Sequence, residues 1–264
     1  MSARSFVWML VVCLAAACTL RTEAAPLAEE AITTGVLHDN GTTREIALRP
    51  FQPASKLTAE FGQLPEPNRS IVRTLLGYPR DGTHDYWWPK GGQASAYDGA
   101  TTDVVVGGNR LLRGESKARS FCCGLTLEVL YRVLADLPAF QSRATPEWSA
   151  KFKSLWFCRA LFSPGPGEAL VDAGMGVAVT DPKTVMPGDF VQIWRHDKTG
   201  HSVVFVGWAY DATGRAVGIH YWSTQPRTDG VGFATELFGR DGKSVDLSRT
   251  GFARLLPPEN WTGR

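Results

Sequence analysis

Two adjacent cysteines, Cys122 and Cys123, stand directly ahead of the run Gly-Leu-Thr-Leu-Glu-Val-Leu-Tyr-Arg-Val-Leu, which has the apolar spacing of an amphipathic helix. A thiol becomes a nucleophile when its thiolate is stabilised. The free N–H groups and dipole of a helix start do this, and so does a neighbouring imidazolium. Phe121-Cys122-Cys123-Gly124-Leu125 offers the first, and Gly124 would let a substrate come close to the backbone.

The second requires a histidine on a rigid element. Of five histidines, His38 falls in an N-terminal extension, and His84 and His196 sit among charged turn residues. His201 differs, because it opens the strand-like run His-Ser-Val-Val-Phe-Val-Gly directly after Gly200. Metal chemistry is not expected. Adjacent cysteines point apart, and no C-x-x-C or H-x-x-x-H spacing occurs. A Cys122–Cys123 disulfide would close a strained ring.

The elements that must hold these residues follow from the pattern. A helix is expected over 123–137, and a second from Thr145, where Thr-Pro-Glu supplies an N-cap, a proline at N1 and an acid in the first turn. That helix is expected to run to Ser163, with Cys158 as a small hydrophobe buried within it. Strands are expected for Val-rich "TDVVVGG" and, beyond Thr180, for "DFVQIWR", "HSVVFVGWAY" and "AVGIHYWS", with a turn at Asp211–Gly214. Helices and strands in separate blocks indicate an α+β fold with an antiparallel sheet.

Basic Arg4 before the short apolar run Phe6–Ala17 has the layout of a secretory signal. Residues 1–25 are read as that signal, with a lipoprotein signal ending at a lipidated Cys18 as the alternative. Residues 26–80 are read as the extension, with one helix starting at Asn68, and 81–264 as the main domain. Beyond the signal, about 240 residues suffice for a full core, and no stretch is apolar enough for a membrane helix. A net charge of +2 without a basic block argues against a nucleic-acid partner. The three cysteines left, Cys122, Cys123 and Cys158, do not form a disulfide framework.

"MPGDFVQIWRHDKTGHSVVFVGW", together with "FCCGL", resembles the NlpC-type cysteine peptidases, a papain-like family of cell-wall hydrolases. The family motif reads Asp-Cys-Ser-Gly-Leu at a helix start. This chain matches it at cysteine, glycine and leucine and departs at the acid and the serine. The likeness covers residues 85–235. It implies a papain-like fold, helices packed against a small antiparallel sheet, with Cys122 as nucleophile, His201 as base and no cofactor. Tyr86, ahead of Gly91-Gly92, echoes a family tyrosine.

For the residue that orients the imidazole, Ser223 and His220 both stand open. A hairpin centred on Ala212-Thr213 sets His201 opposite about residue 224. His220 then falls four residues away, about 13 Å along the strand. Tyr86, Trp222, Gln225 and Arg227 are expected to line a substrate groove, Arg227 meeting a substrate carboxylate. The function implied is an exported thiol hydrolase, periplasmic or at the cell surface, that cuts amide bonds in peptidoglycan stem peptides. The alternatives are a non-catalytic wall-binding module, or a thiol amidase or acyltransferase acting on another peptide or amide.

Overall fold

The computed structural model describes residues 30–89 and 97–263. The signal segment, Cys18 and the Gly91-Gly92 pair therefore lie outside the described residues. The chain opens with a hairpin, β1 (Ile32–Asp39) and β2 (Thr42–Phe51), followed by helices α1 (Pro53–Glu60) and α2 (Asn68–Leu76). The hairpin turns on Asn40 and Gly41, both at positive φ, a backbone that asparagine and glycine tolerate best. A second small hairpin pairs β3 (Val104–Val106) with β4 (Asn109–Leu112).

Four helices come next: α3 (Cys122–Leu134), α4 (Pro138–Gln141), α5 (Pro146–Trp156) and α6 (Pro166–Asp172). The Thr145 side chain accepts the Trp148 N–H at 3.2 Å and starts α5 where its sequence indicates. The helix ends sooner than expected, at Trp156, and Cys158 follows it at φ 59 rather than lying within it.

The last third forms strands β5 (Gly176–Ala178), β6 (Phe190–Trp194), β7 (Gly200–Tyr210), β8 (Ala216–Gln225), β9 (Gly230–Leu237) and β10 (Gly251–Leu255). They make one antiparallel sheet in the order β5-β10-β6-β7-β8-β9. This overturns the papain-like expectation of helices over a small sheet. The sheet has six strands and two further hairpins flank it, so the molecule is a mixture of helices and a broad antiparallel sheet without that layout. The reason is local: β5, β9 and β10 are short or glycine-led and show little of the alternation that announces β6–β8, yet they extend the sheet on both sides.

The sheet is covered on both faces. Val204, Val206, Trp222 and Phe190 face the helices, in the larger core with Leu125, Val129 and Trp156. Val203, Phe205, Ile219 and Tyr221 face a second cluster with Val191, Ile193 and Phe252. This is why β7 and β8 read as nearly continuous apolar runs. Among the described residues no helix is long and apolar enough to cross a membrane.

Candidate functional site

Cys122 is the first residue of α3, after extended Phe121. The helix start is pinned from below by Gly124. A Cβ there would lie 2.2 Å from the Asp98 carbonyl oxygen and 2.4 Å from the Gly99 carbonyl carbon. The glycine therefore serves the close approach of segment 98–99 rather than that of a substrate. From above, the helix is tied to the sheet. Thr126 Oγ1 lies 2.9 Å from Ser202 Oγ of β7, while on the helix side Trp156 Nε1 of α5 donates to the Cys123 carbonyl at 3.1 Å.

The pairing of β7 with β8 runs from Val204↔Trp222 outward to the turn, so His201, Ser202 and Val203 lie beyond its last pair. The start of α3 meets β7 there. Cys122, His201 and Ser202 line one cavity there, with the thiol within electrostatic reach of the His201 imidazole and the Ser202 N–H. Ser202 is held on every side, since its carbonyl also accepts Ser223 Oγ at 2.8 Å.

The two cysteines divide their roles. The Cys122 thiol is held well below its ordinary range, first by a hydrogen bond from Cys123. Burial opposes this, and the charge and hydrogen bond of His201 and the Ser202 N–H reinforce it. Cys123 moves the opposite way, raised first by that same hydrogen bond and then by burial and the Cys122 charge. Of the two sulfurs, Cys122 is the one whose surroundings favour the thiolate. Cys158 borders the same space, and burial pushes its thiol up to about 12, with the Cys122 charge adding to the effect. All three cysteines are free.

The cavity before Cys122 has a volume of about 960 Å³. Tyr86, Gln225 and Arg227 line it, together with His201. Burial raises the Tyr86 phenol to about 12, and the nearby Cys122 and Cys123 contribute. The other expected residues lie elsewhere. Trp222 is fully buried in the helix-side core, tilted against Tyr78 at 5.3 Å, and borders no groove. Its position on β8 gives it the opposite face from Tyr221.

Neither candidate for orienting the imidazole hydrogen-bonds the His201 ring. The Ser223 hydroxyl is spent on the Ser202 carbonyl. His220 pairs with Gly207, further up the strand than a regular hairpin would place it, because a bulge intervenes. It stacks on Phe51 at 3.8 Å and bonds Thr235 Oγ1 at 2.6 Å, in a separate cleft under the N-terminal hairpin. His201 Nε2 is buried with no hydrogen-bond partner, and the ring meets Tyr221 edge-on at 5.4 Å.

Beneath His201 lies a charged network that sequence reasoning missed. Glu236 on β9 takes a two-pronged contact from Arg195, 2.7 Å to each oxygen, and accepts the Tyr221 hydroxyl at 2.6 Å. Burial alone would raise the Glu236 carboxyl, but the hydrogen bonds and charge of Arg195, then His201 and Arg227, hold it at about 2. Arg195, Tyr221 and Glu236 are spread over 41 residues, and no local motif announces them. Among the described residues, no group of three His, Cys, Asp or Glu side chains could hold a metal ion.

No protein-family model, curated protein or solved structure matches the chain. What defines the site is its own geometry: a thiol at a helix start and a histidine at a strand end, lining one large cavity.

Proposed function

We propose that this chain is a thiol hydrolase that cleaves amide bonds, in peptidoglycan stem peptides or related peptides, outside the cytoplasm. The observation that carries the reading is the placing of Cys122, at a helix start, and His201 in the lining of one cavity, with the His201 charge among the causes that hold the thiol low. Structural cysteines in apolar surroundings move the other way, as Cys158 does. The substrate class comes from the likeness of "FCCGL" and "PGD…GH" to cell-wall cysteine peptidases, and the cellular location from the signal-like N-terminus.

In the reaction the Cys122 sulfur attacks the amide carbonyl carbon, and the C–N bond breaks as His201 delivers a proton to the departing amine. Water, deprotonated by His201, then releases the acyl group and restores the thiol. Backbone N–H groups in the first turn of α3 have no partner four residues back and face the site where the oxyanion forms, with the Tyr86 hydroxyl in the same cavity. The Glu236 carboxylate, kept ionised by Arg195, lies within electrostatic reach of His201.

The test is alkylation of the intact protein by iodoacetamide at mildly acidic pH, with the modified residue mapped by mass spectrometry. Rapid labelling confined to Cys122, together with release of amine from muropeptides that is lost in Cys122→Ala, is the expected result. Uniformly slow labelling of all three thiols would overturn the proposal.

A further inference from the structure

The cavity extends well past the thiol, and its far end is built by the N-terminal hairpin. Val36 and His38 of β1 line it together with Leu237, at the end of β9, and Lys243. The hairpin is fastened there by its backbone. The His38 N–H donates to Ser244 Oγ at 2.9 Å, Ser244 Oγ donates to the His38 carbonyl at 2.7 Å, and the Gly41 N–H donates to Asp241 at 2.5 Å. The wall is thus a fixed part of the cavity.

Its charge is one-sided. The lining carries Arg195, Arg227 and Lys243 against one carboxylate, Glu236. Arg195 is saturated by Glu236 and Thr199. Arg227 spends Nη2 on the Tyr221 hydroxyl and the Thr235 carbonyl, with Glu236 Oε1 at 3.5 Å from the same nitrogen, and about half of its side chain is exposed. Lys243 is exposed and makes no hydrogen bond or ion pair with a described residue. Lys243 and the N–H groups of Arg227 other than Nη2 are thus left for a ligand, in a cavity whose hairpin side carries the apolar Val36 (52% exposed).

We propose that this end is a second subsite that binds a carboxylate on the substrate, with Lys243 and Arg227 as its cations and Val36 packing the connecting methylenes. The inference rests on the thiol-hydrolase reading and narrows it to substrates with an acidic group some distance from the scissile amide. The planar fork of Arg227 suits a carboxylate, and the hairpin becomes a determinant of specificity.

A series of iodoacetamido-alkanoates of increasing chain length, each compared with its methyl ester, tests this on the intact protein. The reactive carbon goes to Cys122 and the tail reaches toward the hairpin. Beyond a certain length the acid should alkylate Cys122 about fivefold faster than its ester, the size expected of one ion pair at a half-exposed site. That preference should fade with added salt and disappear in Lys243→Gln and in Val36→Asp, both exposed positions whose replacement leaves the core untouched. Plain iodoacetamide should label all these variants at the parent rate. Equal rates for acid and ester at every length, with iodoacetamide still fast, would overturn the subsite alone. Slow reaction of iodoacetamide itself would overturn the hydrolase reading and the subsite with it.

Discussion

Replacing Glu236 by glutamine keeps the shape of the side chain and removes its charge, and the structure fixes what should follow. In the folded protein the carboxyl is held at about 2, against an ordinary 4.5. At 1.36 kcal/mol for each tenfold change, that gap corresponds to about 3 kcal/mol of stability near neutral pH. An independent argument gives a similar size. The Arg195 side chain is only 16% exposed, so the substitution strands a buried guanidinium, which costs about 3–5 kcal/mol.

The sign with pH is fixed by the depressed value. The contribution is complete above the unfolded carboxyl's range and drains away as pH falls toward about 2, where the parent's carboxyl also takes up a proton. Urea unfolding of parent and Glu236→Gln should therefore differ by about 3 kcal/mol near neutral pH and by less than about 0.5 kcal/mol near pH 2. A difference below about 1 kcal/mol at neutral pH, or one unchanged by acid, would refute the view that this network is a strong buried ion pair.

Three further outcomes are expected. His201→Ala should move the pH profile of Cys122 alkylation upward toward an ordinary thiol, slowing the reaction near pH 6 by on the order of tenfold to a hundredfold, and an unmoved profile would remove His201 from the site. Burial, with the charge of Lys56, pushes His220 down to about 4, so below its ordinary 6.5 the unfolded chain takes up a proton that the folded one refuses. Denaturation of His220→Gln should accordingly be less sensitive to acid between those values, while Cys122 alkylates at the parent rate. Gly124→Ala should lower the thermal midpoint sharply or abolish soluble expression, because its Cβ has backbone atoms at 2.2 Å and 2.4 Å to displace, a clash worth on the order of 3 kcal/mol or more.

The parts of the fold legible in the sequence are those whose information is local. Thr145 caps α5 because hydroxyl, proline and acid stand side by side, and β6–β8 announce themselves through valine and aromatic runs. Asn40-Gly41 carried an equally local signal for a hairpin, but threonine and charge in the flanking strands made residues 26–80 read as an irregular extension. The site was half legible. Cys122 and His201 could be found because each sits at a boundary between elements. Glu236 and Arg195 could not, since 41 residues separate them and only the sheet brings them together. The misjudgement of Trp222 has a simpler cause: neighbours on a strand face opposite ways, and the aromatic that touches the site network is Tyr221, one position earlier.

The seam between α3 and β7 has a consequence of its own. Cys122 comes from one layer and His201 from the other, and the Thr126–Ser202 contact spans the join. The acidity of a single sulfur thus gauges how well two layers are seated on each other. A small parting that leaves both layers intact would return Cys122 to the behaviour of a common thiol. In gentle denaturant its reactivity should fade while circular dichroism still reports a folded chain, so the protein would fall silent before it falls apart.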